Sequence, residues 1–162
     1  MPFADSRRRQ ALDGLVTTLA LLNGTSYETN ASGSGVVSKV IDTYDARKAT
    51  GNSITMRVRD GEERFSPTFL ARGYQAQLRL YIDILILSAS AEDMVDQLND
   101  VIRDVHYVID ANRNLGTSGG AIGDSSVESF GTPRYDAEDS AAAVLATVLV
   151  TYEYTAGIAG NL

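Results

Sequence analysis

The hydrophobic and polar positions of this chain alternate most regularly over residues 74–87. One side carries Tyr74, Ala76, Leu78, Leu80, Ile82, Ile84 and Ile86, and the other carries Gln75, Gln77, Arg79, Tyr81 and Asp83. Such alternation predicts a β-strand with one buried face and one face open to solvent or to a partner. At about 3.3 Å per residue the strand would be roughly 40 Å long, well beyond the usual length. Leu85 and Leu87 interrupt the polar side near its end, which indicates cover there by a helix or a neighbour.

Two stretches repeat their apolar residues at three- and four-residue steps, which predicts amphipathic helices over residues 6–22 and 91–112. The first stripe consists of Leu12, Leu15, Val16, Leu19 and Leu22. The second consists of Val95, Leu98, Val101, Ile102, Val105, Val108 and Ile109. Asp5 or Ser6 can cap the first helix, and Ser90 with Asp93 resembles a capping box for the second. Gly14, inside the first helix, is unfavourable there unless it permits close packing.

Four further stretches predict strands, at residues 36–44, 54–60, 121–130 and 143–155. Residues 61–73 and 131–142 read as connections between strands. The elements then follow in the order helix, three strands, helix, two strands, which does not fit a doubly wound parallel fold. We therefore expect one α+β domain over residues 1–162. Its sheet would be mostly antiparallel, with about five strands and both helices packed on one face.

Charge and composition argue against nucleic-acid binding and against membrane contact. The chain has 162 residues, no cysteine and a formal net charge of −7. An acidic domain is a poor candidate for gripping nucleic acid, which requires a concentrated basic surface. The one basic run, Arg7–Arg9, reads as a solvated helix start. Without a long apolar run or a secretory signal, we expect no membrane contact and synthesis in a cytoplasm.

The residues for familiar catalytic sites are scarce. His106 is the single histidine, and it lies on the flank of the second helical stripe. The glycine-rich stretches match neither the P-loop nor the dinucleotide fingerprint. Because thiolate ligands are absent, a zinc site is also unexpected, and we expect no cofactor. A carboxylate-dependent hydrolase that uses two of Glu62, Glu63, Asp136, Glu138 and Asp139 stays open as an alternative.

A surface for protein partners is the remaining possibility. The connection at residues 61–73 contains Arg64, Phe65, Phe69 and Arg72, and arginine and aromatic residues are enriched at the centres of interfaces. The alternative is that Phe65 and Phe69 cover the edge of their own core. The polar side of the long strand adds Gln77, Arg79 and Tyr81. We expect these seven residues to contact another subunit or partner.

Four segments resemble the tail terminator, or tail-completion, proteins of tailed bacteriophages. They are RRQALDGLVTTLALLNGTSYETN (residues 8–30), YQAQLRLYIDILI (74–86), DVIRDVHYVIDANRNLGTSGGAIG (100–123) and VLATVLVTYEYTAG (144–157). They read as a helix with its exit turn, a long strand, a helix with a Leu-Gly turn, and a closing strand. The likeness lies in hydrophobic patterns and turns that cover most of the chain.

This resemblance implies a structural role without catalysis. Such proteins form a ring, usually of six subunits, that caps the tail tube, stops its polymerisation and joins it to the head-side connector. The implied partners are copies of the chain, the tube protein with or without a sheath protein, and the connector. DNA would pass through the lumen without specific binding, which an acidic chain favours. The location would be the tail or neck of a virion assembled in the host cytoplasm. A connector or a tube subunit is the alternative within this class.

Overall fold

The computed structural model describes residues 7–22, 37–39, 53–67, 73–88, 90–117 and 122–155. Within these ranges the helices are α1 (Arg7–Leu19) and α2 (Ala91–Ala111). The strands are β1 (Val37–Lys39), β2 (Ser53–Pro67), β3 (Gly73–Leu87), β4 (Asp124–Phe130), β5 (Arg134–Asp136) and β6 (Ala141–Thr155). Along the chain α1 precedes β1–β3, and α2 separates β3 from β4–β6. The predicted order of helices and strands is thus confirmed, with β5 as an addition.

The strands form one sheet in the order β1-β2-β3-β6-β4, and β5 also pairs with β6. β1 runs parallel to β2, and every other pair is antiparallel. β2, β3 and β6 have 15 residues each, which corresponds to about 50 Å. The 21 residues of α2 extend over about 32 Å. Each of these three strands is therefore longer than α2.

Both helices pack on one face of the sheet, which we call the inner face. The main buried side chains there are Leu15, Leu19, Leu98, Val101, Val105, Leu78, Leu80, Ile82, Ala146, Val148 and Val150. The opposite, outer face carries Gln77, Arg79, Tyr81 and Asp83 of β3. The expected α+β fold, a mostly antiparallel sheet with two helices on one face, is confirmed.

The ends of the helices follow from local interactions. Ser90 Oγ accepts a hydrogen bond from the backbone N–H of Asp93 at 3.2 Å and donates one to its carboxylate at 2.7 Å. This confirms the predicted cap of α2. The proposed caps of α1, Asp5 and Ser6, lie outside the described residues.

Gly14 brings α1 close to the turn after α2. A Cβ at this position would lie 2.7 Å from the carbonyl oxygen of Leu115 and 3.0 Å from its Cβ. Leu115 is itself fully buried. The glycine therefore permits the close packing that offsets its poor helix propensity.

Val95 does not belong to the buried stripe of α2, contrary to the prediction. Its side chain is 41% exposed, and Met94 beside it is 2% exposed. Met94 precedes the buried Leu98 by four residues and Val101 by seven, which is the spacing of one helix face. Val95 is rotated about 100° from Met94, because an α-helix has 3.6 residues per turn.

Two predicted connections were wrong in part. β2 continues to Pro67, so residues 61–67 of the predicted connection 61–73 form a strand, and residues 68–72 lie outside the described residues. The segment 131–142 contains β5 and the start of β6, which begins at Ala141. β5 pairs with Ala141–Ala143 of β6, a contact between backbones that the polar side-chain pattern does not indicate. Of the strand predicted at 36–44, Val37–Lys39 is described and is a strand.

Candidate subunit-contact surface

Four of the predicted contact residues lie together on the outer face: Arg64, Gln77, Arg79 and Tyr81. Phe65 pairs with Ala76, whose side chain belongs to the core, so Phe65 lies on the inner side near the end of β2 and is 50% exposed. Phe69 and Arg72 lie outside the described residues. That any of the seven contacts another subunit stays a prediction.

Two β-bulges place a glutamate on either side of Arg79. The pairing of β2 with β3 shifts between Asp60 and Glu63, so that Gly61 and Glu62 together lie opposite Arg79. The pairing of β4 with β6 shifts between residues 127 and 129, which leaves Glu128 as the additional residue. A bulge changes the direction of the side chain that it carries. As a result, Glu62 and Glu128 both reach the guanidinium of Arg79.

The outer face therefore carries a charged network across the sheet. Arg79 donates two hydrogen bonds of 2.7 Å to the carboxylate of Glu128, a bidentate arrangement, and one of 3.4 Å to Glu62. Arg64 donates to both oxygens of Glu62, at 3.0 and 3.2 Å. We call these four residues the outer-face network.

Hydrogen bonds within the network shift the pKa values of Glu62, Arg79 and Glu128. The hydrogen bond from Arg79 lowers the pKa of Glu128, and the hydrogen bond from Arg64 lowers the pKa of Glu62, with a further contribution from Arg79. The pKa of Arg79 is raised, chiefly by its hydrogen bond to Glu128. Glu62, Glu128 and Arg79 are therefore charged at neutral pH, and the network consists of two arginines and two glutamates.

Tyr81 packs on the first bulge. A Cβ on Gly61 would lie 2.3 Å from Cε2 of the Tyr81 ring, so the ring occupies the space that a side chain would need. The guanidinium of Arg59 lies over the same ring, 4.7 Å from its centre. Arg59 also donates to Asp83 at 2.8 Å, and this hydrogen bond is the main reason for its raised pKa. The glycine, the ring and the arginine thus form one stack.

The inner side of the same bulge is fixed by α1. Arg8 donates to Asp60 at 2.8 Å, to the carbonyl of Gly61 at 3.0 Å and to Glu63 at 3.1 Å. Burial lowers the pKa of Arg8, but the hydrogen bonds to the two carboxylates outweigh it and the net shift is upward. The hydroxyl of Tyr152, which is 3% exposed, donates to the other oxygen of Glu63.

For Arg8 the prediction of a solvated helix start was wrong. Its partners are more than 50 residues away in the sequence, so the basic run alone cannot indicate them. A detectable signal was the Asp60-Gly61 pair within a strand pattern, because glycine in a strand often marks a bulge.

A depression of about 560 Å³ lies on the outer face beside β5. Ala143 and Leu145 form its floor, and Asp83, Thr132 and Arg134 stand around it. A smaller depression of about 210 Å³ adjoins it and shares Arg134 and Ala143. Leu85 lines the smaller depression and is 6% exposed. That a helix or a neighbour covers this end of the polar side stays a prediction.

The acids weighed for a hydrolase lie in two separate places, Glu62 and Glu63 at the first bulge and Asp136, Glu138 and Asp139 in one turn after β5. The side chain of Glu62 joins the outer-face network and that of Glu63 faces Arg8. Asp136 is in register with the last residue of β3, about 30 Å along the strand from the partner of Glu63. Its carboxylate accepts the backbone N–H groups of Glu138 and Asp139 at 3.1 and 3.3 Å and so holds an exposed turn.

The described ranges also give little support for a histidine-based site, a metal site or a membrane span. His106 is exposed on α2 beside Tyr107, with 6.2 Å between the ring centres. In the same ranges no three histidine, aspartate or glutamate side chains group as metal ligands would. None of the helices described there combines the length and hydropathy required to span a membrane.

Comparison with known proteins adds a structural relative. No protein-family model matches the chain, and no curated protein sequence matches it. Among solved structures 19 chains match. One is a chain from the virion of a native gene transfer agent (GTA) particle, with a TM-score of 0.52 and 14% identity over 89% of this chain and 98% of that chain. At this level of identity the match shows a shared fold, and the fold of this chain is therefore also that of a chain in a virion.

Proposed function

We propose that this chain is a structural, non-enzymatic subunit of a phage-like virion, and specifically a tail terminator. Copies of the chain would close into a ring, by our expectation a hexamer, on the end of the tail tube. The ring would stop tube growth and bind the head-side connector, and DNA would pass through its lumen. A sheath protein would be a further neighbour.

The observation that carries this proposal is the extent of the match to the virion chain. The two chains correspond over nearly their whole lengths, so the shared fold is not a fragment within a larger, unrelated protein. The matched chain belongs to a virion, as do the proteins that the sequence resembles. The net charge of −7 also suits a subunit beside passing DNA, because like charges disfavour adhesion.

The outer face supplies a second argument. A sheet with helices on one face presents the other face to solvent or to a partner. Here that face carries side chains held in fixed positions by the outer-face network. Preorganised arginine and tyrosine side chains lose little conformational entropy when they bind, which favours specific association.

Electron microscopy and mass photometry of the purified chain test the proposal over a range of concentrations. A terminator should form closed rings, and a tube subunit should instead form long cylinders. Chains that remain monomeric with and without the tube protein would refute both. Deletion of the gene in its own particle separates the roles further, because loss of a terminator should give tubes of uncontrolled length.

A further inference from the structure

We propose that the part of β2 after Gly61 is a conformational switch with two registers against β3. The structure shows the first, which we call the bulged register. In the second register the bulge is absent, and Glu62 and Glu63 exchange faces of the sheet. The inference concerns the chain itself and does not depend on whether copies of the chain close into a ring.

The first bulge is one extra residue in a pairing that is otherwise continuous. Residues 53–60 pair with β3 in strict order, and Gly61 and Glu62 then lie together opposite Arg79. If the strict order continued, Gly61 alone would lie opposite Arg79, and Glu62 would take the position that Glu63 has in the bulged register. Every residue of β2 after Gly61 would then turn to the other face, because side chains alternate along a strand.

The side chains around the bulge can accept either glutamate. On the inner side Arg8 and the hydroxyl of Tyr152 donate to Glu63. On the outer side Arg79 donates to Glu62. In the second register Glu62 would face Arg8 and Tyr152. Glu63 would lie diagonally across from Arg79, within reach of a long side chain. Because the two residues are identical, each carboxylate is replaced by another carboxylate.

The residues after the bulge restrain the register only weakly. Residues 64–67 are all exposed, and a strand segment without a buried face has a weakly specified register. Arg64 forms an ion pair with Glu62, two positions before it, so the pair is kept when both change face together. Pro67 would pair with Gly73, so the second register still lies within β2 and β3.

Phe65 sets the balance between the two registers. It is 50% exposed on the inner side, so it would lose its remaining apolar cover when it turns to the outer face. The second register should therefore be the minor one, at about 1–10% of the molecules. A partner that buries Phe65 on the outer face would bind the second register better and would shift the population towards it.

Disulfide trapping distinguishes the registers, because the natural chain has no cysteine. S66C/Q75C joins residues that are opposite each other in the bulged register, and S66C/Y74C joins residues that are opposite each other in the second. Cysteines that point to different faces cannot be bridged. S66C/A76C is the matched control, because it requires a shift in the opposite direction. A frayed strand would form the bonds of S66C/Y74C and S66C/A76C at similar rates, since loop closure depends only weakly on loop length.

The rates of intramolecular disulfide formation in dilute, mildly oxidising solution decide between these possibilities. S66C/Y74C should react about tenfold or more slowly than S66C/Q75C, because its register is the minor one. It should react about tenfold or more faster than S66C/A76C, whose register satisfies neither glutamate. Equal rates for S66C/Y74C and S66C/A76C would overturn the proposal.

Two single substitutions at the glutamates supply an independent test. E63A removes the carboxylate that faces Arg8 and Tyr152 in the bulged register, whereas in the second register Glu62 faces them. E62A has the opposite effect. In the S66C/Y74C chain, E63A should therefore speed disulfide formation about fivefold or more, and E62A should slow it about fivefold or more. If E62A does not slow the reaction, or if both substitutions shift the rate in the same direction, the chain has no such switch. That result would leave the ring-forming function to its own test.

Discussion

Replacement of Gly61 by alanine should destabilise the chain through the stack on the first bulge. The added Cβ would lie 2.3 Å from Cε2 of Tyr81 and 3.0 Å from the carbonyl oxygen of Arg79. Carbon atoms pack at about 3.5–4.0 Å, so the ring must retreat by about 1 Å. That movement also disturbs the position of Arg59 over the ring.

The magnitude follows from opposing effects. Overpacking typically costs about 1–3 kcal/mol. Alanine also restricts the unfolded chain more than glycine does, which stabilises by about 0.4–1 kcal/mol. We therefore expect G61A to lower the free energy of unfolding by about 1–2 kcal/mol. For a chain of this size the melting temperature should fall by about 2–8 °C.

Urea denaturation measures the change in the free energy of unfolding, at a protein concentration below that at which the chain assembles. G131A is the matched control, because a Cβ there would lie 3.5 Å from its nearest neighbour, an ordinary contact. It should change the stability by less than about 0.5 kcal/mol. In a chain that also carries Y81A, G61A should destabilise by at least about 0.5 kcal/mol less than it does in the natural chain, because the ring is absent. If G61A is as mild as G131A, the stack does not restrain the bulge.

Three further predictions concern the core and the network. Tyr152→Phe removes the hydroxyl that donates to a carboxylate of the first bulge, and it should cost about 1–3 kcal/mol in urea denaturation; a loss below about 0.5 kcal/mol would contradict this. Leu98→Ala, at a fully buried position of α2, should cost about 2–5 kcal/mol, whereas Val95→Ala on the exposed face should change the stability by less than about 0.5 kcal/mol. Arg79→Met should raise the lowered pKa of Glu128 towards about 4.3 in an NMR titration. Because the folded-state pKa lies below the unfolded one, the stabilisation is present above about pH 4.3 and is lost as the pH falls through the folded-state value. An unchanged pKa in Arg79→Met would show that the bidentate pair does not form in solution.

The elements with uninterrupted patterns were predictable from the sequence. β3 and α2 deviate from their predicted bounds by one residue. One face of each element is buried along its length. The spacing of the apolar residues therefore indicates whether the element is a strand or a helix, and where it begins and ends. The packing of both helices on one face follows from the same patterns.

The elements shaped by distant contacts were not predictable. After Gly61 and Glu62 the alternation of β2 changes phase, and the strand continues because β3 lies beside it. β5 is held by backbone pairing with β6. Arg79 was proposed as a contact residue, but its partner Glu128 depends on a second bulge that the side-chain pattern does not reveal.

The contrast in length between sheet and helices has a consequence for local stability along β2. Up to Glu63 the strand is held by the core and by Arg8, whereas Arg64–Pro67 are exposed on both faces. Segments with few buried apolar contacts open at a free energy well below that of global unfolding. Amide hydrogens of residues 64–66 should therefore exchange with solvent orders of magnitude faster than those of residues 54–60, although both belong to one strand. A segment that opens so easily can change its conformation when a partner binds, without disturbing the rest of the sheet.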